Sequence, residues 1–279
     1  MTQLFRAALV QTCTGTDVEK NIEVVSHLVR QAAEDGAIYI QTPEVTALIE
    51  ARGEDQLQKS QPDDHSNVAV KAFGELAAEL GIWLHVGSMS VRKSSNRLAN
   101  RAFLFSPDGK ITARYDKIHM FDVEVDGAHR FSESKRYDAG EQAVLAQLPW
   151  GKLGMTICYD MRFPYLYRAL AHAGAQLLAV PSAFTVPTGH AHWHTLLRAR
   201  AIENQCFVLA AAQAGTHASG RKSFGHSIII SPWGDVLSEA DGSQTVYIVA
   251  DLDMSLVEKA RRRIPSLEHD RIYDIVTMD

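Results

Sequence analysis

Apolar residues recur along this chain at two spacings, every second position or every third and fourth, and the two patterns take turns. Phe5–Gln11 is a short apolar run ending in Thr-Cys-Thr-Gly, which reads as a strand and a turn. Asp17 opens a helix with Ile22, Val25, Leu28, Val29 and Ala32 on one face. Ala37–Glu44 is the next strand, with Pro43 marking its end. Ala51–Asp64 is polar and predicts a loop. A second helix is expected from about Ser66 to Leu80, with Val70, Phe73, Ala77 and Leu80 inward and Gly81 as its stop.

Strands then follow closely at Ile82–Met89, Arg101–Phe105 and Ile111–Tyr115, the last two joined by the hairpin signal Ser106-Pro-Asp-Gly109. From Asp116 to Gly140 the chain is polar and charged with no clean period, and such stretches in compact domains are usually functional or disordered. Strands resume at Ala143–Leu148 and Leu153–Ile157. A helix beginning at Pro164 carries Leu166, Ala169, Leu170 and Ala173 at helical spacing. Strand Gln176–Val180, a helix from about Gly189 to Asn204 and strand Phe207–Ala212 come next. A last hairpin is expected between Ser227–Ile230 and Thr245–Ala250, then a short helix near Met254–Arg263. The succession predicts an α/β fold of two mixed sheets covered by helices, in a single domain over residues 1–279.

Composition narrows the function classes. A chain of 279 residues, 46% hydrophobic and 22% charged, can bury a substantial core. A net charge of −5 and a pI near 6.2 argue against nucleic-acid or membrane-surface partners. No apolar run reaches the roughly 18 residues of a membrane span, and the N-terminus enters a strand pattern directly, so no signal peptide is expected. Cys13, Cys158 and Cys206 are far apart and odd in number, which fits neither a disulfide framework nor a metal knuckle. A cytoplasmic protein is the simplest expectation. The basic run Lys259–Arg263 reads as helix C-terminal charge ahead of Pro265.

Three reactive side chains fall just past the C-terminal ends of strands, the edge on which layered α/β folds assemble their sites. Cys158 stands where the alternation of Leu153, Met155 and Ile157 stops, ahead of a helix beginning at Pro164. Free backbone N–H groups and the helix dipole there would favour a thiolate nucleophile, while position alone serves a buried, inert thiol equally well. Glu44 sits among Val45, Ala47 and Leu48, where desolvation would raise its pKa towards general-base range; an exposed loop acid is the plainer alternative. Lys117, in Tyr115-Asp-Lys-Ile-His-Met-Phe121, is either a site lysine or a snorkelling one paired with Asp116.

Together, Thr42-Pro-Glu44, Tyr115-Asp-Lys-Ile-His119 and Ile157-Cys-Tyr-Asp-Met-Arg-Phe-Pro164 resemble the motifs of the nitrilase superfamily of carbon–nitrogen hydrolases, over nearly the whole chain. The resemblance implies a four-layer αββα sandwich and a homodimer formed through the helical face after the nucleophile. It makes Glu44 the general base, Lys117 the oxyanion-stabilising lysine, Cys158 the nucleophile and Glu133, in Phe131-Ser-Glu-Ser134, the second glutamate beside them. Within the superfamily the Nit branch is matched through Phe121–Asp126, Tyr159–Pro164, Pro181–Phe184, Leu197–Cys206 and Ala210–Gln213. The deaminated glutathione amidases resemble the chain most, with the sister ω-amidases and nitrilases as alternatives.

A small-molecule amide is the implied substrate, with Tyr159, Arg162, Thr185 and His192 expected to contact it. Arg162 would grip a carboxylate bidentately, or else form a structural pair with Asp160. One departure concerns Gly189-His-Ala-His-Trp-His194, where the branch usually reads Gly-Pro-Ala-His-Trp-Glu. His190 and His194 are four apart on a helix, a workable zinc spacing, but a polar helix start is the preferred reading and neither metal nor cofactor is expected. Two other classes remain: a Cys/His hydrolase using His119 or His226, and a non-catalytic interaction protein on the same scaffold.

Overall fold

A computed structural model of the protein describes residues 4–63, 66–124 and 130–278. The chain opens with strand β1 (Leu4–Gln11) and helix α1 (Val18–Glu34), whose N-terminus is capped by Asp17 accepting from the Lys20 N–H at 3.1 Å. Strand β2 (Tyr39–Gln41) follows. Next come the short helix α2 (Gly53–Lys59) and helix α3 (Val68–Leu80), the latter capped by Asn67 and stopped by Gly81 in the left-handed region at φ 64°. Strands β3 (Trp83–Arg92), β4 (Leu98–Phe105) and β5 (Ile111–Asp116) form the expected run of hairpins.

Strands β6 (Asp122–Glu124) and β7 (Arg130–Ser132) pair in the polar stretch, which ends in a 3₁₀ turn over Glu133–Lys135. Then come β8 (Val144–Leu148), β9 (Gly151–Met155), helix α4 (Pro164–His172), β10 (Leu177–Ala179), helix α5 (Val186–Asn204) and β11 (Phe207–Ala210). The small pair β12 (Ala214–Thr216) and β13 (Lys222–Phe224) precedes β14 (Ile228–Ile230), β15 (Val236–Glu239), β16 (Val246–Asp253) and helix α6 (Ser255–Arg263).

Two six-stranded mixed sheets result, in the orders β16-β1-β2-β3-β4-β5 and β15-β14-β11-β10-β9-β8. Each has a parallel centre, β1–β2–β3 in one and β9–β10–β11 in the other. Side-chain alternation divides the first sheet cleanly. Ala7, Leu9, Tyr39, Ala102 and Leu104 pack towards the second sheet, while Ala8, Val10, Ile40, Phe103 and Phe105 pack under α1 and α3. The second sheet is covered on its outer side by α4 and α5 through Leu166, Leu170, Trp193 and Leu197. The layering is therefore α, β, β, α.

Two expectations are corrected. Part of Ala51–Asp64 is the helix α2 rather than loop; only Gln56 of that helix is buried, so its sequence carries no apolar period. The last hairpin pairs β14 with β15, not with the Thr245–Ala250 strand, because the Ser231-Pro-Trp-Gly234 turn folds the chain straight back. The Thr245–Ala250 stretch lies within and just ahead of β16, which crosses to pair antiparallel with β1. β15 is largely exposed and so shows little alternation to read. No helix among the described residues is long and apolar enough to cross a membrane.

Candidate active site

The ends of strands from both sheets surround a cavity of about 240 Å³ lined by Glu44, Asn100, Lys117, Glu133, Cys158 and Arg221 among others. Glu44 reaches it three residues past β2, where the chain turns sharply. Thr46 Oγ1 donates to the Pro43 carbonyl at 2.6 Å, and Val45 takes φ 51°, an outlier for a β-branched residue. The Val45 N–H donates to Ser88 Oγ at 2.9 Å, which holds the strained turn against β3. Gly87 on β3 is obligatory here: a Cβ would lie 2.1 Å from the Thr42 carbonyl oxygen and 2.4 Å from Pro181.

Cys158 is the second strained residue, at φ 49° in the first turn after β9. Its N–H donates to the Pro181 carbonyl at 2.9 Å. Asp160, fully buried two residues on, locks the turn: it accepts from the Ile157 N–H at 2.8 Å, Tyr115 Oη at 2.7 Å and the His119 N–H at 3.1 Å. Backbone strain fixed by such a network is a common property of functional positions.

Lys117 follows β5 directly and is 2% exposed. Its ammonium donates to Glu44 Oε1 at 3.0 Å and to Glu133 Oε2 at 2.9 Å. Asp116, the alternative partner, is taken instead by Arg101. Asn100 Nδ2 bridges the two carboxylates, 2.9 Å from Glu44 and 3.1 Å from Glu133. The second oxygen of Glu44 accepts from the Ala183 N–H at 2.8 Å, and Glu133 Oε2 also accepts from the Phe121 N–H at 2.8 Å. Every carboxylate oxygen named thus faces a donor.

The electrostatics correct two sequence expectations. Burial alone would raise the Glu44 pKa, but the charges of Lys117 and Arg221 and the hydrogen bonds from Lys117 and Cys158 outweigh it and hold Glu44 below the ordinary carboxylate range. Burial, helped by the nearby Glu44 charge, pushes Cys158 well above the usual thiol range despite Lys117. Lys117 is desolvated, yet the charges of Glu133 and Glu44 drive its pKa well up. These shifts favour a neutral thiol beside an ionised carboxylate and an ammonium over a pre-formed thiolate.

Of the four expected substrate contacts, Thr185 lines the cavity and Tyr159, Arg162 and His192 do not. The Arg162 guanidinium lies over the rings of Phe184, 5.3 Å away, and Tyr159, 5.9 Å away, with Nη2 3.3 Å from His192 Nδ1. Asp160 does not pair with it, being occupied by the bonds above. Sequence reasoning passed over Asn100, Arg136, Tyr137, Thr188 and Arg221, which all line the cavity. Arg136 packs on Gly53 of α2, where any Cβ would overlap its guanidinium. Tyr137 Oη is 2.6 Å from Ser90 Oγ, which receives Gln56 Nε2 of the same helix. Of these, Asn100 alone had a usable signal, an amide on an otherwise buried strand. His119 is bound to Asp160 through Nδ1 at 2.7 Å and to Tyr165 through Nε2 at 2.8 Å, and neither it nor His226 lines the cavity.

Residues 6–262 match the carbon-nitrogen hydrolase family. The chain is 38% identical over 267 residues to the deaminated glutathione amidase of Yersinia enterocolitica, covering 95% of this chain and 92% of that one. It is 37% identical over 269 residues to the Homo sapiens deaminated glutathione amidase, covering 95% and 81%. The crystal structure of the Caenorhabditis elegans NitFhit protein superposes with a TM-score of 0.89 at 36% identity, covering 96% of this chain and 65% of that longer one. An amidase from Nesterenkonia sp. superposes with a TM-score of 0.78 at 27% identity, covering 94% of this chain and 95% of that one. A glutamate-to-glutamine mutant of that amidase shows Michael addition of acrylamide at its active-site cysteine. With the family matched from the first strand to the last helix and both sheets shared with solved members, this chain belongs to the carbon–nitrogen hydrolases of the nitrilase superfamily and is an amidase-family enzyme.

Proposed function

We propose that the protein hydrolyses the C–N bond of a linear amide through a thioester on Cys158, and that its substrate is a 2-oxo acid amide of the deaminated glutathione type. The convergence of Glu44, Lys117, Glu133 and Cys158 on one cavity carries this reading. An amide resists attack because its carbonyl is a poor electrophile and its nitrogen leaves only when protonated; a covalent route divides the difficulty. Cys158 Sγ attacks the carbonyl carbon as its proton passes to Glu44. The oxyanion forms beside the Lys117 ammonium and the Tyr159 N–H, and each such donor is worth about 3–4 kcal/mol of barrier.

Glu44 next gives the proton to the nitrogen, the C–N bond breaks, and ammonia or an amine departs. Water then attacks the thioester while Glu44 takes its proton, and the acid leaves with the thiol restored. Because Lys117 is held protonated by two carboxylates, its charge stays fixed throughout, and Glu133 keeps it aligned. The resting protonation pattern fits a base that acts only as the thiol attacks. Among the described residues no histidine lines the cavity, which disfavours a Cys/His arrangement built on His119 or His226.

Arg162 is the proposed partner of the substrate carboxylate. It is half-buried beside Phe184, a wall residue of the cavity, with no carboxylate paired to it among the described residues. Thr185 and His192 would add hydrogen bonds at that end. Arg162→Lys keeps charge but loses the planar fork, so KM for 2-oxo acid amides should rise at least about tenfold, equivalent to about 1.4 kcal/mol. A neutral short amide should respond little. Equal losses on both would make Arg162 structural. Running deaminated glutathione, 2-oxoglutaramate and simple nitriles in parallel separates this reading from the ω-amidase and nitrilase alternatives.

A homodimer is proposed through the face carrying α4 and α5, supported by Tyr165 and Ile202, which are 65% and 50% exposed there. Sedimentation of the untagged chain should then show a dimer, and a stable active monomer would remove the proposal. A cytoplasmic location is proposed from three unpaired cysteines, suited to a reducing compartment.

A further inference from the structure

Away from the cavity, three side chains remote in sequence bring their ligand atoms to one place. His194 on α5, His226 just ahead of β14 and Glu239 at the end of β15 each offer one atom, all within 4.8 Å of one another. Glu239 Oε1 is 2.8 Å from His194 Nε2 and 2.9 Å from His226 Nδ1. The four-residue spacing of His190 and His194 suggested a different pair. His190 instead sets the edge of its ring on Phe224, 4.9 Å between centroids, and stays outside the cluster.

Both imidazoles are held by more than this carboxylate. His226 has φ 58°, in the left-handed region, and its carbonyl accepts from the buried Trp193 indole N–H at 2.8 Å. Its ring lies 4.4 Å from that of Phe224. The His194 ring meets Phe224 at 6.2 Å and His226 at 5.5 Å, edge-on in both cases. Three elements therefore fix two nitrogens and an oxygen around one point, while the side chains stay 29–40% exposed and open to entry.

We propose that His194, His226 and Glu239 form a binding site for a divalent transition metal of the zinc type, which ties α5 to the β14–β15 hairpin. Two imidazole nitrogens and one carboxylate oxygen are a ligand set that zinc accepts, with solvent in the fourth position. Zinc bonds of about 2.0–2.2 Å in a tetrahedron set neighbouring ligand atoms about 3.3–3.5 Å apart, so each oxygen–nitrogen contact need open by only about half an ångström. Uptake exchanges two hydrogen bonds for three metal bonds and releases any proton on the ligating nitrogens, so affinity should fall in acid. α5 starts one residue after Thr185 and contains Thr188, both cavity residues, so a bound ion would brace the wall of the proposed substrate site. The metal site itself does not depend on the substrate proposal.

The test is titration of the untagged, EDTA-treated full chain with Co²⁺, followed by Zn²⁺ competition and thermal melts. One equivalent of Co²⁺ should give the intense visible bands of a four-coordinate nitrogen–oxygen site, Zn²⁺ should displace it, and Tm should rise with free metal. His226→Ala and Glu239→Gln should each weaken binding at least about tenfold, since even supporting groups of metal sites cost that much. Glu239→Gln preserves shape, so it decides the matter if His226→Ala folds poorly. Thiolate charge-transfer bands, unaltered binding in both variants, or no uptake by the wild type would each overturn the proposal.

Discussion

Glu44→Gln should lower turnover by about a thousandfold or more, because in the proposed mechanism one carboxylate serves both the acylation and deacylation proton transfers. The geometry makes this substitution harsher than an isosteric swap suggests. Glu44 Oε1 faces two donors, Lys117 Nζ and Asn100 Nδ2, and Oε2 faces the Ala183 N–H. Whichever way a glutamine amide is turned, its NH₂ meets a donor, leaving a buried polar group unpaired at a cost of about 1–3 kcal/mol. A lower Tm should therefore accompany the loss of activity. Substrate affinity should change much less, since the lost function is proton transfer. Thermal melts with single-turnover kinetics check both parts, and a variant that still acylates at the wild-type rate would remove Glu44 from the base role.

Lys117→Met should lower kcat by about a hundredfold to a thousandfold with little change in KM, because oxyanion charge develops only in the transition state. Its effect on stability should also be large. Lys117 is the cation that buried Glu44 and part-buried Glu133 share, and breaking a buried ion pair from one side costs about 3–5 kcal/mol. The sign with pH follows from the shifts. Glu44 is depressed in the folded chain, so its contribution is present above the unfolded carboxylate pKa and is lost as pH falls through the folded value. Lys117 is raised, so its contribution is complete below the unfolded lysine pKa and lost only as pH rises through the folded one. The stability gap between wild type and Lys117→Met should therefore be widest near neutrality and narrow in acid, where Glu44 protonates. Melts across that range test this, and a KM effect alone would make Lys117 a substrate anchor.

The placement of Glu44, Lys117 and Cys158 just past strand ends is legible in the sequence, each a weak signal alone and informative only in combination, and the structure brings the three to one cavity. The environment of those residues was not. Glu44 was expected to carry a raised pKa from its apolar neighbours, but the deciding charges, Lys117 and Arg221, come from positions far along the chain. At Cys158 helix-end dipoles suggest a thiolate and position alone serves a buried thiol equally well; burial and the adjacent Glu44 charge, invisible in the local sequence, raise the thiol pKa. α2 left no trace, since a helix burying only Gln56 needs no apolar stripe, and with it went the support of Arg136 and Tyr137. The pairing of β16 with β1 is hidden in the sequence because strand partners depend on the turn between them, and the short Ser231–Gly234 turn gives β14 a nearer partner in β15.

The most direct measurement is mass spectrometry of wild-type protein quenched during turnover of a 2-oxo acid amide, with peptide mapping of the three cysteines. The mechanism requires an acyl adduct on Cys158, absent in Cys158→Ala, which should be folded and inactive. An adduct on Cys13 or Cys206, or undiminished turnover by Cys158→Ala, would contradict it.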